Sequence, residues 1–144
     1  MKKKLTAKQK WGKKQVFPIF LDPYRQECIV VVNGNMGDAV TYLKKLKTKN
    51  ADALVKEIME YDDWKTGKNT EGGASIWLDF KCGYIMIFDH EDNWKETLAN
   101  VGHECIHLCN AVLHRAGLKL TRDSEEAFTY LHTKAFLDIS HKIY

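Results

Sequence analysis

The pattern of apolar and polar positions predicts three β-strands. Residues 74–80 alternate between apolar side chains on one face and polar or aromatic ones on the other, which is the period of a half-buried strand. Residues 84–88 form a second apolar segment, and a short turn containing Gly83 joins the two as a hairpin. Residues 27–33 hold a continuous apolar run bounded by turn residues, which predicts the third strand.

Helical periodicity marks two elements between these strands. Apolar residues recur with a helical period at 40–46 and again at 54–59. Asp38 is interpreted as the N-cap of the first of these helices. Residues 61–73, rich in Asp, Lys, Asn, Thr and Gly, are predicted to form a loop.

The C-terminal part of the chain predicts two antiparallel helices. The residues flanking 103–107 are uncharged and include no proline, as a helix packed into a core requires. Gly117 supplies a stop at the C-terminal end of this helix. A second helix begins near Asp123, which serves as N-cap ahead of two acidic first-turn residues, Glu125 and Glu126.

The first of these helices contains the motif H-E-x-x-H at residues 103–107. His103 and His107 are four residues apart and lie on one helix face, so both imidazoles can reach one zinc ion. Glu104 points about 100° away from His103, where it can accept a proton from metal-bound water. The bare pattern arises by chance in about one chain in a hundred of this composition. The alternative is an amphipathic helix with two core or surface histidines.

A third ligand has to come from another element. His114 lies about 10.5 Å along the helix from His107, too far to share the ion. A carboxylate in the first turn of the following helix can reach back, and Glu126 and Glu125 are the two candidates. Glu126 also has a purely structural interpretation, as the N3 residue of a capping box with Asp123.

The order of these residues resembles that of the gluzincin metallopeptidases. In those proteins H-E-x-x-H is completed by a glutamate from the next helix, and here eighteen residues separate the motif from Glu126-Ala127. The segment 126–131 is especially similar to compact zincin-like proteins of phages and mobile elements. The resemblance covers residues 74–140 and implies that Glu126, rather than Glu125, is the third ligand. The thermolysin-like C-terminal domain of the larger enzymes has no counterpart here.

The resemblance implies an α+β fold of the small zincin-like type. Such a fold would have about three strands, with the hairpin packed on the H-E-x-x-H helix and a glutamate-bearing helix after it. The implied activity is zinc-dependent hydrolysis of a peptide bond, with Zn²⁺ held by His103, His107 and Glu126 and with Glu104 as general base. Tyr130, one turn after Glu126, is a candidate for stabilising the oxyanion. A peptide or protein substrate would pair with the edge of the predicted hairpin.

Composition fits one domain in a reducing compartment. The chain has 144 residues, of which 44% are hydrophobic, so it is large enough for a single core. Its cysteines show no C-x-x-C spacing and are interpreted as reduced core residues, which favours a cytoplasmic protein. The resemblance implies that this is the cytoplasm of a bacterium or a phage-infected host. No apolar run approaches 18 residues, so no membrane segment is expected.

Charge is concentrated at the N-terminus. Residues 1–14 contain seven lysines and no acidic residue, so subtracting this +7 from the net charge of +3 leaves −4 on residues 15–144. We expect residues 1–14 to form a flexible basic arm and residues 15–144 to form the metallopeptidase domain. The arm can make weak contacts with nucleic acid. The rival hypothesis is a non-catalytic zincin-like protein that binds nucleic acid or a virion partner through this arm.

Overall fold

A computed structural model describes residues 11–60, 76–81 and 83–144, with the backbone alone described at 76–78. The loop predicted at 61–73 lies outside the described residues, as do Cys82 and residues 1–10. The elements are β1 (Gln15–Leu21), β2 (Gln26–Val32), α1 (Met36–Leu46), α2 (Lys49–Glu60), β3 (Ile76–Phe80), β4 (Gly83–Phe88), α3 (Trp94–Arg115) and α4 (Glu125–Ile143).

The described strands form one mixed sheet in the order β1-β2-β4-β3. β2 and β4 run parallel, while the pairs β1/β2 and β3/β4 are antiparallel. The expected number of strands, about three, is therefore corrected to four, because β1 was not predicted. β1 is apolar on both faces and contains Pro18, and both features hide its strand period. Proline is tolerated there because β1 lies at the edge of the sheet.

Helices cover both faces of this sheet. α1 and α2 pack on one face against side chains such as Ile29 and Ile85, and α3 and α4 pack on the other against side chains such as Val30 and Met86. This explains the continuous apolar run of β2, since a strand covered on both faces has no solvent side. The α+β class is confirmed as a mixed sheet with four helices in the described part of the chain.

α1 begins with a capping box, and its N-cap lies about one turn before the residue predicted from the sequence. The N-cap is Asn35, whose side-chain oxygen accepts a hydrogen bond from the Asp38 amide at 3.2 Å. The Asp38 carboxylate in return accepts one from the Asn35 amide at 2.9 Å. Asp38 is therefore the N3 partner of the box and not the N-cap.

The end of α3 matches the predicted stop. Gly117 has a φ of 77°, and its amide donates to the His114 carbonyl at 3.0 Å. The Leu118 amide donates to the Leu113 carbonyl at 2.9 Å. These two bonds define a Schellman motif, in which the left-handed residue is most easily glycine.

The start of α4 differs from its prediction. Thr121 and Ser124 close a short 3₁₀ turn, in which the Thr121 amide donates to the Ser124 hydroxyl at 2.9 Å. α4 then begins at Glu125 with no side-chain cap from the residue before it. The capping box predicted for Asp123 and Glu126 was wrong, so Glu126 has no such capping role.

Candidate metal centre

α3 is held in register by a buried stripe on its sheet-facing side. Val101, Cys105, Leu108 and Val112 are each at most 1% exposed and pack into the core shared with β2 and β4. Asn93 caps the first turn, because its side-chain oxygen accepts hydrogen bonds from the amides of Lys95 and Glu96 at 2.9 and 3.0 Å. The motif residues between the members of this stripe therefore have fixed orientations.

His103 and His107 lie together on the exposed side of α3. Their Nε2 atoms are 3.1 Å apart, and their rings are nearly perpendicular at 74°. Two zinc–nitrogen bonds of about 2.05 Å at a tetrahedral angle would separate the nitrogens by about 3.3 Å. The pair is thus close to the spacing that a shared zinc ion requires, and two of the predicted ligands fit the ion.

Glu104 has a different environment from its two neighbours. Its side chain is only 8% exposed, and Glu104 and Thr97 are the buried polar residues of the described part of the chain. Burial raises the pKa of the Glu104 carboxyl, while the nearby His103 and His107 work in the opposite direction. A carboxylate that binds its proton more tightly is a stronger general base.

The structure does not bring the predicted third ligand to the histidines. Among the described residues, no group of three or more His, Cys, Asp or Glu side chains could hold a metal ion. Glu126 and Tyr130 are exposed and line a separate groove on α4. That groove is lined by Arg122, Glu125, Glu126, Thr129 and Tyr130. His103, Glu104 and His107 are therefore brought together, and Glu126, Glu125 and Tyr130 lie elsewhere.

The orientation of α3 against α4 explains this separation. The carbonyl of Gly102 lies 3.2 Å from Nε2 of His132, so this residue marks the side of α3 that faces α4. His103 and His107 lie about 100° and 140° further round the helix than Gly102. The histidine pair therefore points away from the line along which the two helices touch.

His132 is a half-buried residue of α4. Its ring stacks between Phe128 and Phe136, with centroid distances of 6.1 and 6.3 Å. Nε2 must carry the proton, because the Gly102 carbonyl can only accept. The spacing i, i+4, i+8 of the three rings was visible in the sequence and could have indicated a contact stripe.

A groove runs from His107 toward the edge strand β3. Its lining is Asp79, His107, Asn110, Ala111, Leu113, His114, Leu118, Lys119 and Leu120. Leu118 and Leu120 are 39% and 57% exposed, so the groove has an apolar margin. β3 has β4 as its single neighbour in the described sheet. An unpaired strand edge next to an apolar groove is a surface on which an extended peptide can bind.

Arg115, the last residue of α3, binds Asp79 at one end of this groove. Its guanidinium donates to the Phe80 carbonyl at 2.7 Å and forms an ion pair with Asp79. It also lies over the Tyr84 ring, 4.6 Å from the centroid. Arg115 therefore joins the end of α3 to the β3/β4 hairpin.

Comparison of the chain with family models, curated proteins and solved structures finds no match. None of the described helices combines the length and the apolar composition needed to cross a membrane.

Proposed function

We propose that this chain is a zinc-dependent metallopeptidase with His103 and His107 as metal ligands and Glu104 as general base. The observation that carries the proposal is the Nε2–Nε2 spacing of 3.1 Å beside a buried carboxyl group. A structural zinc site needs ligands but no base, so Glu104 favours catalysis over a structural role. The proposed fold is a small zincin-like variant of the mixed sheet described above.

Zn²⁺, when bound, lowers the pKa of coordinated water and polarises the substrate carbonyl. Glu104 accepts the proton of the attacking water, and burial, which raises the pKa of its carboxyl, strengthens it as a base. The same carboxyl then delivers the proton to the leaving amine. The third ligand comes from the first turn of α4, and the resemblance assigns it to Glu126, with Glu125 as the alternative. Tyr130 contributes to oxyanion stabilisation only if this turn moves toward the histidines.

The proposed substrate is an extended peptide or a flexible protein segment. Its backbone would pair with the edge of β3 that has no strand partner in the described part of the chain, and its side chains would contact Leu118 and Leu120. The buried free thiols Cys28, Cys105 and Cys109 suit a reducing cytoplasm, where such peptides would be intracellular.

The deciding experiment combines metal analysis with a cleavage assay. Zinc is measured by plasma mass spectrometry, and cleavage of denatured proteins is followed by detecting new termini. Glu104→Gln should retain zinc and lose at least about a hundredfold in activity, while His103→Ala should lose the zinc itself. Glu96→Gln removes an exposed carboxylate from the first turn of the same helix and serves as the matched control. Wild-type protein that binds no zinc, or full activity in Glu104→Gln, would contradict the proposal.

The lack of a third ligand near the histidines, within the described residues, keeps one alternative open. In that case the chain is a non-catalytic protein whose lysine-rich residues 1–14 bind nucleic acid. DNA binding that weakens steeply with salt and is lost on deleting residues 1–10, without proteolysis by the full chain, would favour this role.

A further inference from the structure

Residues 11–14, which we call the arm anchor, contact the carboxyl ends of the parallel strands β2 and β4. The Trp11 ring stacks on His90 with a centroid distance of 4.2 Å and an interplanar angle of 18°. The other side of the anchor is held by an ion pair of 2.9 Å between Lys14 and Asp38. The basic arm predicted for residues 1–14 is thus attached to the domain through its last four residues.

The protonation state of His90 follows from its neighbour Asn33. The Asn33 side-chain oxygen accepts a hydrogen bond from the His90 amide at 2.8 Å, and Nδ2 donates to the Lys13 carbonyl at 3.0 Å. These two bonds fix which end of the amide is which. Nδ2 is also 2.8 Å from Nδ1 of His90, so Nδ1 must be an unprotonated acceptor.

The arm anchor depends on the same nitrogen. The Gly12 amide donates to Nδ1 of His90 at 3.1 Å. If Nδ1 gained a proton, three donors would meet at one place: the new N–H, the Gly12 amide and the Asn33 amide group. Protonation therefore removes both hydrogen bonds, and release follows because this loss outweighs the attraction between the imidazolium charge and the stacked Trp11 ring.

We propose that His90 is a pH-dependent latch that holds the arm anchor when neutral and releases it when protonated. Five of the seven arm lysines precede Trp11, so release changes how a cluster of positive charge is tethered to the domain. The latch is independent of the proposed peptidase activity. Release would break the Lys14–Asp38 ion pair and leave Lys14 able to contact anionic partners under acidic conditions.

The charged groups around His90 do not cancel this effect. Burial lowers the pKa of His90, and Asp89 beside it in the chain raises it to a lesser extent. On the arm side, Lys13 and Lys14 are cationic, and Lys14 is already paired with Asp38. On α3, the Asn100 side-chain amide donates to the Glu91 carboxylate at 2.9 Å, and this bond holds the negative charge toward α3. From α4, Tyr144 faces Trp11 and donates its hydroxyl to the Trp94 carbonyl.

The test follows Trp11 directly by fluorine NMR of 5-fluorotryptophan-labelled full-length protein. The chain has four tryptophans, and the Trp11 signal is identified by its loss in Trp11→Phe. Between pH 7.5 and 5.0 this signal should move toward that of a solvent-exposed tryptophan. The released population can grow by at most about tenfold per pH unit for one proton.

The matched variants are His90→Asn and His141→Asn. Asparagine keeps an oxygen acceptor near the position of Nδ1 but does not titrate, so the transition should disappear in His90→Asn. His141 is exposed in the last turn of α4, and its replacement should leave the transition intact.

A measurement on the wild-type protein keeps the test independent of folding in the variants. The nitrogen shift of His90 Nδ1 should be that of an unprotonated acceptor at pH 7.5, and it should titrate with the same midpoint as Trp11. Different midpoints, a Trp11 signal that does not move, or a transition that persists in His90→Asn would each overturn the latch.

Discussion

Replacing Arg115 tests whether the groove beside the histidine pair is held in place by the end of α3. The guanidinium is bonded to the Phe80 carbonyl at 2.7 Å and to the Gln26 side-chain oxygen at 3.3 Å, and it also pairs with Asp79. It covers the Tyr84 ring at 4.6 Å. These contacts join the end of α3 to three strands, β2, β3 and β4.

The loss of stability expected for Arg115→Ala follows from these contacts. A hydrogen bond from a charged donor to a carbonyl contributes about 1.5–3 kcal/mol, and a cation over an aromatic ring adds about 0.5–1 kcal/mol. The pair with Asp79 contributes little, since the two side chains are 29% and 46% exposed and such pairs give about 0–1 kcal/mol. Because these terms are not additive and part of the side chain is solvated, we expect Arg115→Ala to destabilise the fold by about 2–3 kcal/mol.

The assay is urea unfolding of the metal-free protein, with Arg115→Lys as the matched control. Lysine keeps the charge but not the planar fork, so it should recover less than half of the loss. A double-mutant cycle with Asp79→Asn should give a coupling below about 1 kcal/mol. A loss under 1 kcal/mol in Arg115→Ala, or a coupling to Asp79 above 2 kcal/mol, would refute the assignment of the stabilisation to the carbonyl and the ring.

Three further predictions concern stability. Burial raises the pKa of Glu104 in the folded protein above its unfolded value of about 4.5. The protonated carboxyl therefore stabilises the fold below about pH 4.5, and this stabilisation is lost as the pH rises through the pKa of the folded protein. Glu104→Gln should therefore be more stable than wild type at pH 7 in urea unfolding with chelator, and the advantage should vanish near pH 4; a less stable variant at pH 7 would contradict this. Gly117→Ala should lower the free energy of unfolding by about 1 kcal/mol in the same assay, because a φ of 77° is unfavourable for alanine even though the space around the new methyl group is open. An unchanged midpoint would argue against the left-handed turn. Leu131→Ala should cost about 3 kcal/mol, since the side chain is fully buried, and a loss below 1 kcal/mol would place it outside the core.

Local sequence signals predicted the elements whose residues specify them directly. The glycine after α3 is required by a left-handed turn, so the helix end could be located from Gly117 alone. The i, i+4 spacing of His103 and His107 dictates a shared face on any helix, and the structure gives an Nε2 separation of 3.1 Å. Neither prediction depended on how the helices pack.

Signals that depend on packing were missed or misplaced. β1 carries apolar residues on both faces, of which Phe20 is 56% exposed, so its alternation could not be separated from a buried run. The N-caps of α1 and α4 were displaced because several Asn, Asp, Ser and Thr residues occur within one turn, and only the final backbone geometry selects one of them. The rotation of α4 relative to α3 was not accessible from sequence, and in this orientation both Glu125 and Glu126 lie away from the histidines.

Helical geometry distinguishes the two glutamates as candidate third ligands. Glu125 precedes His132 by seven residues and so lies within about 20° of it on α4, on the side that faces α3. Glu126 lies about 120° from His132. Bringing Glu126 to that side would require α4 to rotate and withdraw Leu131 and its buried neighbours from the core, at about 1.5–3 kcal/mol for each large side chain.

The matched variants Glu125→Gln and Glu126→Gln therefore give a direct test of how the zinc site is completed. If the first turn of α4 closes on the histidines without a rotation of the helix, Glu125→Gln should weaken zinc binding by tenfold or more in a chelator competition assay, and Glu126→Gln should leave it nearly unchanged. The opposite result would support the assignment implied by the gluzincin resemblance. It would also require zinc binding to reorient α4, and the bond of 3.2 Å between His132 and the Gly102 carbonyl should then break. Because His132 is held between Phe128 and Phe136, its ring signals in NMR would report that movement on zinc addition.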